Sequence, residues 1–330
     1  MKKKIILLSR KTFPGSQSIE YLFKELYQEF QTLRLNVKAK QLPYYSKGLF
    51  NRIFNALYVL TYRNKIVHVT GDVHYAILGA WFSKRVLTIH DLSFLERTKG
   101  LKNAILKLFW VSLPVKFAHQ ITTVSESTKQ DILKIIPNTA EKITVIPNFI
   151  DDIFKPTVRF FNSSNPRILH IGTAFNKNLD RLAEALSGIE CTLIIMGALD
   201  QQQKTKLHAN NIQYENKLNL SWDQLFQQYQ QADLLAFVST IEGFGMPIIE
   251  AQASGLPVIT SNISAMPEVA ADAALLVDPF DVDAIRKGIM TMINDDELRA
   301  ILVKKGYQNA AQYRKENIAK QYVQLYDSLI

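Results

Sequence analysis

Residues 236–260, AFVSTIEGFGMPIIEAQASGLPVIT, constrain this chain more than any other stretch. They read as a buried strand, a glycine-broken loop, a short helix and a second strand. Gly243 and Gly245 let the backbone turn where a side chain would clash. Pro247 suits a helix start, because its ring fixes φ and the first helical N–H needs no partner. N–H groups and the positive end of the helix dipole then gather beside Gly245 and Met246, an anion site suited to a phosphate. Two carboxylates frame it: Glu242 in the loop and Glu250 about one turn into the helix. Glu250 can accept hydrogen bonds from a polyol such as a ribose. Each glutamate alone also has a plainer reading, Glu250 as a helix-dipole charge and Glu242 as a solvated loop charge. Glycines, proline and flanking strands together favour a ligand site.

Residues 242–250, EGFGMPIIE, resemble the glutamate–seven residues–glutamate motif of family 4 glycosyltransferases, which are retaining, use nucleotide sugars and have the GT-B fold. Residues 251–259, AQASGLPVI, fit the same family. The resemblance implies an α/β protein of two doubly wound, Rossmann-like domains facing across a cleft. Residues 1–155 would form the acceptor-side domain and 156–310 the nucleotide-sugar domain. A final helix, 311–330, would cross back to the first domain. The implied reaction moves a sugar from a nucleotide-sugar donor to an acceptor hydroxyl, in bacterial-type surface glycan or glycolipid synthesis, with no metal or other cofactor. Glu250 would hold the ribose and Glu242 the donor-sugar hydroxyls, with Gly245, Met246 and Phe244 beside the donor. An inactive sugar-nucleotide or glycan-binding module, or a sugar-nucleotide epimerase, would share the fold.

With 330 residues, 47% of them apolar, the chain can bury two cores of ordinary domain size. One cysteine, Cys191, excludes a disulfide framework or a cysteine metal cage. Ile5 to Leu8 is too short an apolar run for a signal peptide, and no run reaches the roughly 20 residues of a membrane span. A cytoplasmic protein is expected. Its charge is uneven: residues 1–152 hold 23 Lys+Arg against 11 Asp+Glu, +12, and residues 153–330 hold 16 against 19, −3. A basic half suggests an anionic partner, such as a membrane surface on the inner face or an acidic acceptor. No zinc-finger spacing or RNA-binding aromatic signature points to nucleic acid.

Along the chain, residues 4–9 read as a strand, 13–18 as a turn and 18–30 as a helix. The family places adjacent glycines near the donor phosphate in this first turn; here Gly15 stands alone. Residues 85–91, RVLTIHD, put His90 at the C-terminal edge of a strand, either as a satisfied core histidine or as a cleft residue. The family's histidine–aspartate pair implies the second, with His90 near the donor sugar and glycan or lipid-linked acceptors on the same side. His68, His74 and His119 read as structural. Residues 97–116 interleave lysines with apolar residues, either covering the sheet or docking on an anionic membrane.

Residues 151–166 are the linker candidate. Residues 167–172 start a second strand–turn–helix series ending in Gly172, and Lys177 in its turn can reach a diphosphate as a point charge. The family commonly has an arginine and a lysine here; Thr173 stands where the arginine is expected. Gly197 ends the strand where the family approaches the nucleotide base. Asp281 and Asp283 read as helix-capping residues, not as a metal motif.

Overall fold

The computed structural model describes residues 4–12, 18–96 and 98–329. The chain divides into two units. One comprises Met1–Phe149 and Lys315–Ile330, the other Ile150–Arg314.

The first unit is a six-stranded parallel sheet in the order β2-β1-β3-β4-β5-β6. Its strands are β1 (Ile5–Ser9), β2 (Val37–Gln41), β3 (Ile66–Val69), β4 (Lys84–Ile89), β5 (Gln120–Thr123) and β6 (Ile143–Val145). The central ones are buried along most of their length, as strands covered on both faces must be, with His68, Thr88, Thr122 and Thr123 as their buried polar members. Helices α1 (Ser18–Thr32), α2 (Leu49–Val59), α3 (Ser93–Glu96), α4 (Gly100–Leu106), α5 (Leu113–Phe117) and α6 (Glu126–Ile135) supply the crossovers. Ser125 caps α6 by accepting from the Thr128 N–H at 3.1 Å.

The last helix, α14 (Lys315–Asp327), belongs to this first unit. Tyr322 and Tyr326 pack edge-on against Phe23 and Phe30 of α1. Tyr326 Oη and Thr88 Oγ1 each lie 2.7 Å from a ring nitrogen of the buried His68. Burial drives the His68 pKa down to about 3, so it is a neutral core hydrogen-bonder.

The second unit is again a six-stranded parallel sheet, but in a different order, β12-β11-β10-β7-β8-β9. Its strands are β7 (Arg167–Ile171), β8 (Thr192–Met196), β9 (Tyr214–Lys217), β10 (Leu234–Phe237), β11 (Val258–Ser261) and β12 (Leu275–Val277). Its helices are α7 (Leu179–Leu186), α8 (Gln201–Ala209), α9 (Trp222–Gln231), α10 (Met246–Ala253), α11 (Met266–Ala270), α12 (Val282–Asn294) and α13 (Asp296–Ala310). Cys191 is buried in this core, and burial pushes its thiol up to about 11.

Two expectations change. Residues 151–166 are not a free linker. Phe154 is fully buried against Tyr229, and Arg159 donates to the carbonyls of Tyr229, Ala232 and Ser254. Turn-forming composition does not reveal such a strap, because one aromatic and one guanidinium hold it down. The helix expected within 97–116 runs unbroken from Gly100 to Phe117, but it is not a regular α-helix: a π-helical segment, Lys107–Ser112, joins α4 to α5. Val111 and Val115 face the core, whereas Leu101, Ile105, Leu108 and Phe109 are exposed.

Candidate functional site

The strand order of the second unit dictates where a ligand can sit. From β7 the chain moves through β8 to β9 on one side; β10 returns to the other side of β7 and continues to β11 and β12. The loops after β7 and β10 therefore diverge, leaving a crevice at the carboxyl ends of those strands. These loops are stapled together. Thr240 N–H donates to the Asn176 carbonyl at 2.8 Å, and Asn176 Nδ2 donates to the Ile241 carbonyl at 2.9 Å.

Across the crevice, Lys177 Nζ lies 2.6 Å from Glu242 Oε1, with both side chains largely buried. The ammonium sits 4.8 Å from the centre of the Phe237 ring. Lys177 is thus a positioned cation rather than an exposed loop lysine. Gly172 makes its place: at φ +91°, a Cβ there would lie 2.9 Å from Lys177 Cγ and Cε. Gly197, at φ +136°, likewise makes room for the Thr173 side chain, 3.1 Å from where a Cβ would be. Thr173 Oγ1 donates to the Ala198 carbonyl at 2.7 Å. A threonine therefore fills the position where an arginine is expected.

Gly245 is the N-cap of α10 at φ +105°, with no side-chain cap, and Pro247 stands in the first turn. Ile248 N–H is taken by the Gly245 carbonyl at 2.9 Å, so the helix opens on the N–H groups of Gly245 and Met246. Ser264, after β11, holds the Glu242 main chain: its Oγ accepts from Glu242 N–H at 3.1 Å and donates to Glu242 O at 2.8 Å. Phe244, in the same loop, points inward. Its side chain is buried edge-on against Tyr313 at 5.6 Å, so only its main chain can serve a ligand.

Glu250 is buried one turn into α10 and accepts a hydrogen bond from Tyr229 Oη of α9. Burial, reinforced by Asp151 nearby, raises its carboxyl to about 7, against the opposing pull of Tyr229 and Lys177. Glu250 is thus poised between acid and carboxylate near neutral pH, more than a charge placed to favour the helix dipole.

His90 belongs to the first unit, directly after β4. It is buried, with Nε2 3.0 Å from the Thr70 carbonyl and its ring edge-on to Phe23 at 6.1 Å. The carbonyl partner requires Nε2 to carry the proton, which leaves Nδ1 as the acceptor. Burial lowers the His90 pKa, so the ring is neutral. Asp91 Oδ1 accepts from Ser93 N–H and Oγ at 2.8 and 2.7 Å, ordering the start of α3. Asp281 caps α12 through the N–H groups of Asp283 and Ala284. Among the described residues, no group of three or more His, Cys, Asp or Glu side chains gathers as a metal site. Gly15 lies outside the described residues.

The structure thus brings together Gly172, Lys177, Gly197, Glu242, Gly245, Met246 and Glu250 in one unit, with His90 in the other. Sequence reading missed Tyr229, Asn176 and Ser264. None of them carries a local signal, since each acts through a tertiary contact.

Residues 152–309 match the family model described as glycosyl transferases group 1, and residues 27–153 match that of glycosyltransferase family 4. Over 101 residues the chain is 42% identical to the Escherichia coli O-antigen chain mannosyltransferase B, covering 31% of this chain and 26% of that enzyme, about a quarter of its length. It is 24% identical, over 93% of this chain and 86% of the relative, to the Campylobacter jejuni N,N'-diacetylbacillosaminyl-diphospho-undecaprenol alpha-1,3-N-acetylgalactosaminyltransferase. Among solved structures, Anabaena HepE in complex with UDP and glucose superposes with a TM-score of 0.78 at 18% identity, over 99% of this chain and all of that one. That likeness shows the GT-B fold. With the two models meeting end to end across both units, the chain belongs to the family 4 (group 1) glycosyltransferases.

Proposed function

We propose that this chain transfers a hexosyl group from a nucleotide sugar to an acceptor hydroxyl, with retention at the anomeric carbon, in surface glycan or glycolipid synthesis. The observation that carries this reading is the Lys177–Glu242 pair at the β7/β10 crevice, beside the open end of α10. A nucleoside diphosphate needs a cation and aligned N–H dipoles for its charge, and a carboxylate for its ribose. Lys177, the α10 terminus and Glu250 are those groups. In the free protein Lys177 is held by Glu242. An entering diphosphate competes for the ammonium and releases the Glu242 carboxylate to the sugar hydroxyls.

In the reaction, the bond from the anomeric carbon to the diphosphate oxygen breaks and its electron pair leaves with the diphosphate. The acceptor oxygen bonds to the same face of that carbon, and its proton passes to the departing phosphate oxygen. Lys177 and the N–H groups of Gly245 and Met246 stabilise the growing negative charge. In the first unit, His90 is neutral with Nδ1 left as an acceptor, suited to a hydrogen bond from a ligand hydroxyl. No step assigned to these residues calls on a metal, so turnover is expected to persist in EDTA. Glycan or lipid-linked acceptors fit the names of the relatives, and a peripheral place on an anionic membrane fits the basic first unit.

The test is to incubate the purified chain with nucleotide sugars, with and without acceptor, and to read the product by NMR. Transfer with the donor's anomeric configuration is expected. Inversion would overturn the retaining assignment. Binding without transfer or hydrolysis would make the chain a binding module, the reading that Thr173 in place of an arginine favours. Conversion of the donor without acceptor into a different nucleotide sugar would make it an epimerase.

A further inference from the structure

Tyr229 and Glu250 meet where two helices are clamped together. Arg159 Nη1 donates to the Tyr229 and Ala232 carbonyls at the end of α9, at 3.1 and 2.6 Å, and Nη2 donates to the Ser254 carbonyl at the end of α10, at 2.7 Å. Phe154 packs edge-on against the Tyr229 ring at 5.1 Å, and Tyr229 is fully buried. The Glu250 carbonyl accepts from Ser254 N–H at 3.1 Å and from Ser254 Oγ at 2.8 Å. The phenol and the carboxyl are therefore held at a set separation before any ligand arrives.

Within this clamp the Tyr229 hydroxyl donates to Glu250 Oε2. Among the described residues it is the one hydrogen-bond donor to that carboxyl. Oε1 is left open: it has no partner of its own there, and it is absent from the unpartnered polar atoms sealed in the interior. Burial pushes the Tyr229 phenol well above its ordinary range, so it stays a donor across the working pH. Two charges act on Glu250 besides: Asp151 of the strap favours its acid form, and Lys177 after β7 favours its carboxylate. Of the other helices packed on α10, α11 brings Glu268, which acts on Tyr313, and α13 brings Tyr307, which acts on Arg159.

A ribose presents a vicinal diol, two donors side by side. An ionised carboxylate accepts from both, and charge-assisted bonds of this kind are roughly twice as strong as neutral ones. Without the phenol, a buried Glu250 would keep its proton and meet the diol as a weaker acceptor.

We propose that Tyr229 is a positioning residue for the donor: it fixes Glu250 Oε2 and holds the carboxylate form, so that Oε1 takes the ribose diol and the donor binds with loss of the Glu250 proton. This rests on the placement of the ribose at Glu250 under the proposed function. Because that carboxyl titrates at about 7 in the free protein, the contribution of the ribose is full at high pH and falls about tenfold from pH 8 to pH 6.

The experiment is calorimetry on the full chain with UDP, GDP and ADP, each beside its 2′,3′-dideoxy counterpart, from pH 6 to pH 9. The phosphates titrate alike within each pair, so the ratio of the two affinities isolates the ribose hydroxyls. In wild type the preference for the ribose form is expected to grow about tenfold from pH 6 to pH 8. In Tyr229→Phe, which keeps the ring against Phe154, the rise should move up by about one pH unit, lowering the preference about fivefold at pH 7 and restoring it to within about twofold at pH 9. Glu250→Gln, which cannot titrate, should show a preference independent of pH. A loss in Tyr229→Phe that is equal at every pH would make the tyrosine a packing residue and overturn the proposal, while leaving the ribose at Glu250. A flat wild-type profile, or a pH-dependent preference that survives in Glu250→Gln, would also overturn it. Binding of none of the three ribonucleotides, or of the dideoxy form as tightly as the ribose form at pH 8, would remove the ribose from Glu250 and the proposal with it.

Discussion

Both units are six-stranded parallel sheets, yet their strand orders differ, with one strand beyond the switch point in the first and two in the second, and their crevices are built differently. In the second, a lysine and a glutamate close the β7/β10 switch point, each backed by loops that hydrogen bonds and glycines hold in register. In the first, the β1/β3 switch point opens into a hollow of about 560 Å³, whose wall includes Arg10, Asp72, His74, Asp91, Lys102 and Trp110. There Arg10 is held by Glu20 at 2.6 Å and Asp72 at 2.9 Å. The lesson is that topology sets where a ligand goes, while loop chemistry sets which ligand. A tight cation-and-dipole crevice suits a diphosphate of fixed geometry, whereas the first unit's hollow is roomier and mixed in charge.

The contrast breaks first at its cations. Lys177→Met should lower kcat about 10²–10³-fold, as loss of one preorganised charge does, whereas Arg10→Met should leave donor binding unchanged. Equal loss of donor binding in both, by calorimetry, would erase the distinction.

Next comes pH. The Glu250 carboxyl rises from an ordinary 4.5 to about 7 in the folded state, so the folded protein holds the proton more tightly. Stability is then lost as pH rises from 4.5 through 7, by on the order of 3 kcal/mol. Glu250→Gln should remove that loss, gaining on wild type between pH 5 and pH 8 in denaturant melts. A parallel pH profile in the variant would contradict the buried-carboxyl assignment.

Acid should act on both units, since each holds at least one buried neutral histidine. The pKa of His68 falls to about 3 and that of His170 to about 4, both through burial. Their stabilising contribution is full above about 6.5 and is lost as pH falls, about 2 kcal/mol each by pH 5. His68→Gln should flatten that acid slope, and an unchanged slope would show that other groups set it.

The finest contrast is between glycines. Gly48 and Gly172 both have positive φ, but a Cβ at Gly48 meets nothing within 4 Å, whereas at Gly172 it meets Lys177. Gly48→Ala should cost about 1 kcal/mol of backbone strain and spare donor binding. Gly172→Ala should cost more and weaken donor binding, because Lys177 must move; equal binding in both would place the lysine elsewhere.

Much of this was legible in the sequence, for stated physical reasons. The β10–α10–β11 stretch declared itself because buried parallel strands are continuous apolar runs and a Gly-Met-Pro turn opens a helix on N–H groups. Lys177 and Glu242 were legible as types, but their pairing was not, since 65 residues of chain separate them. Tyr229 beneath Glu250 and Ser264 behind Glu242 are tertiary neighbours that no local pattern encodes. Helix α2 went unread in the sequence, and its rotation is set by tertiary contacts, Asn55 to Tyr44 and Tyr75 and Ala56 to Gly79.

The most direct test of the central claim is a thermal-shift panel of UDP-, GDP-, ADP- and dTDP-linked sugars on wild type, Lys177→Ala and Glu250→Ala. A ligand that binds only the folded state raises the melting temperature with its affinity and concentration. One nucleotide class should raise it in wild type and fail to do so in both variants. An undiminished shift in Lys177→Ala, or no shift with any donor in wild type, would contradict the placement of the nucleotide sugar at the β7/β10 crevice.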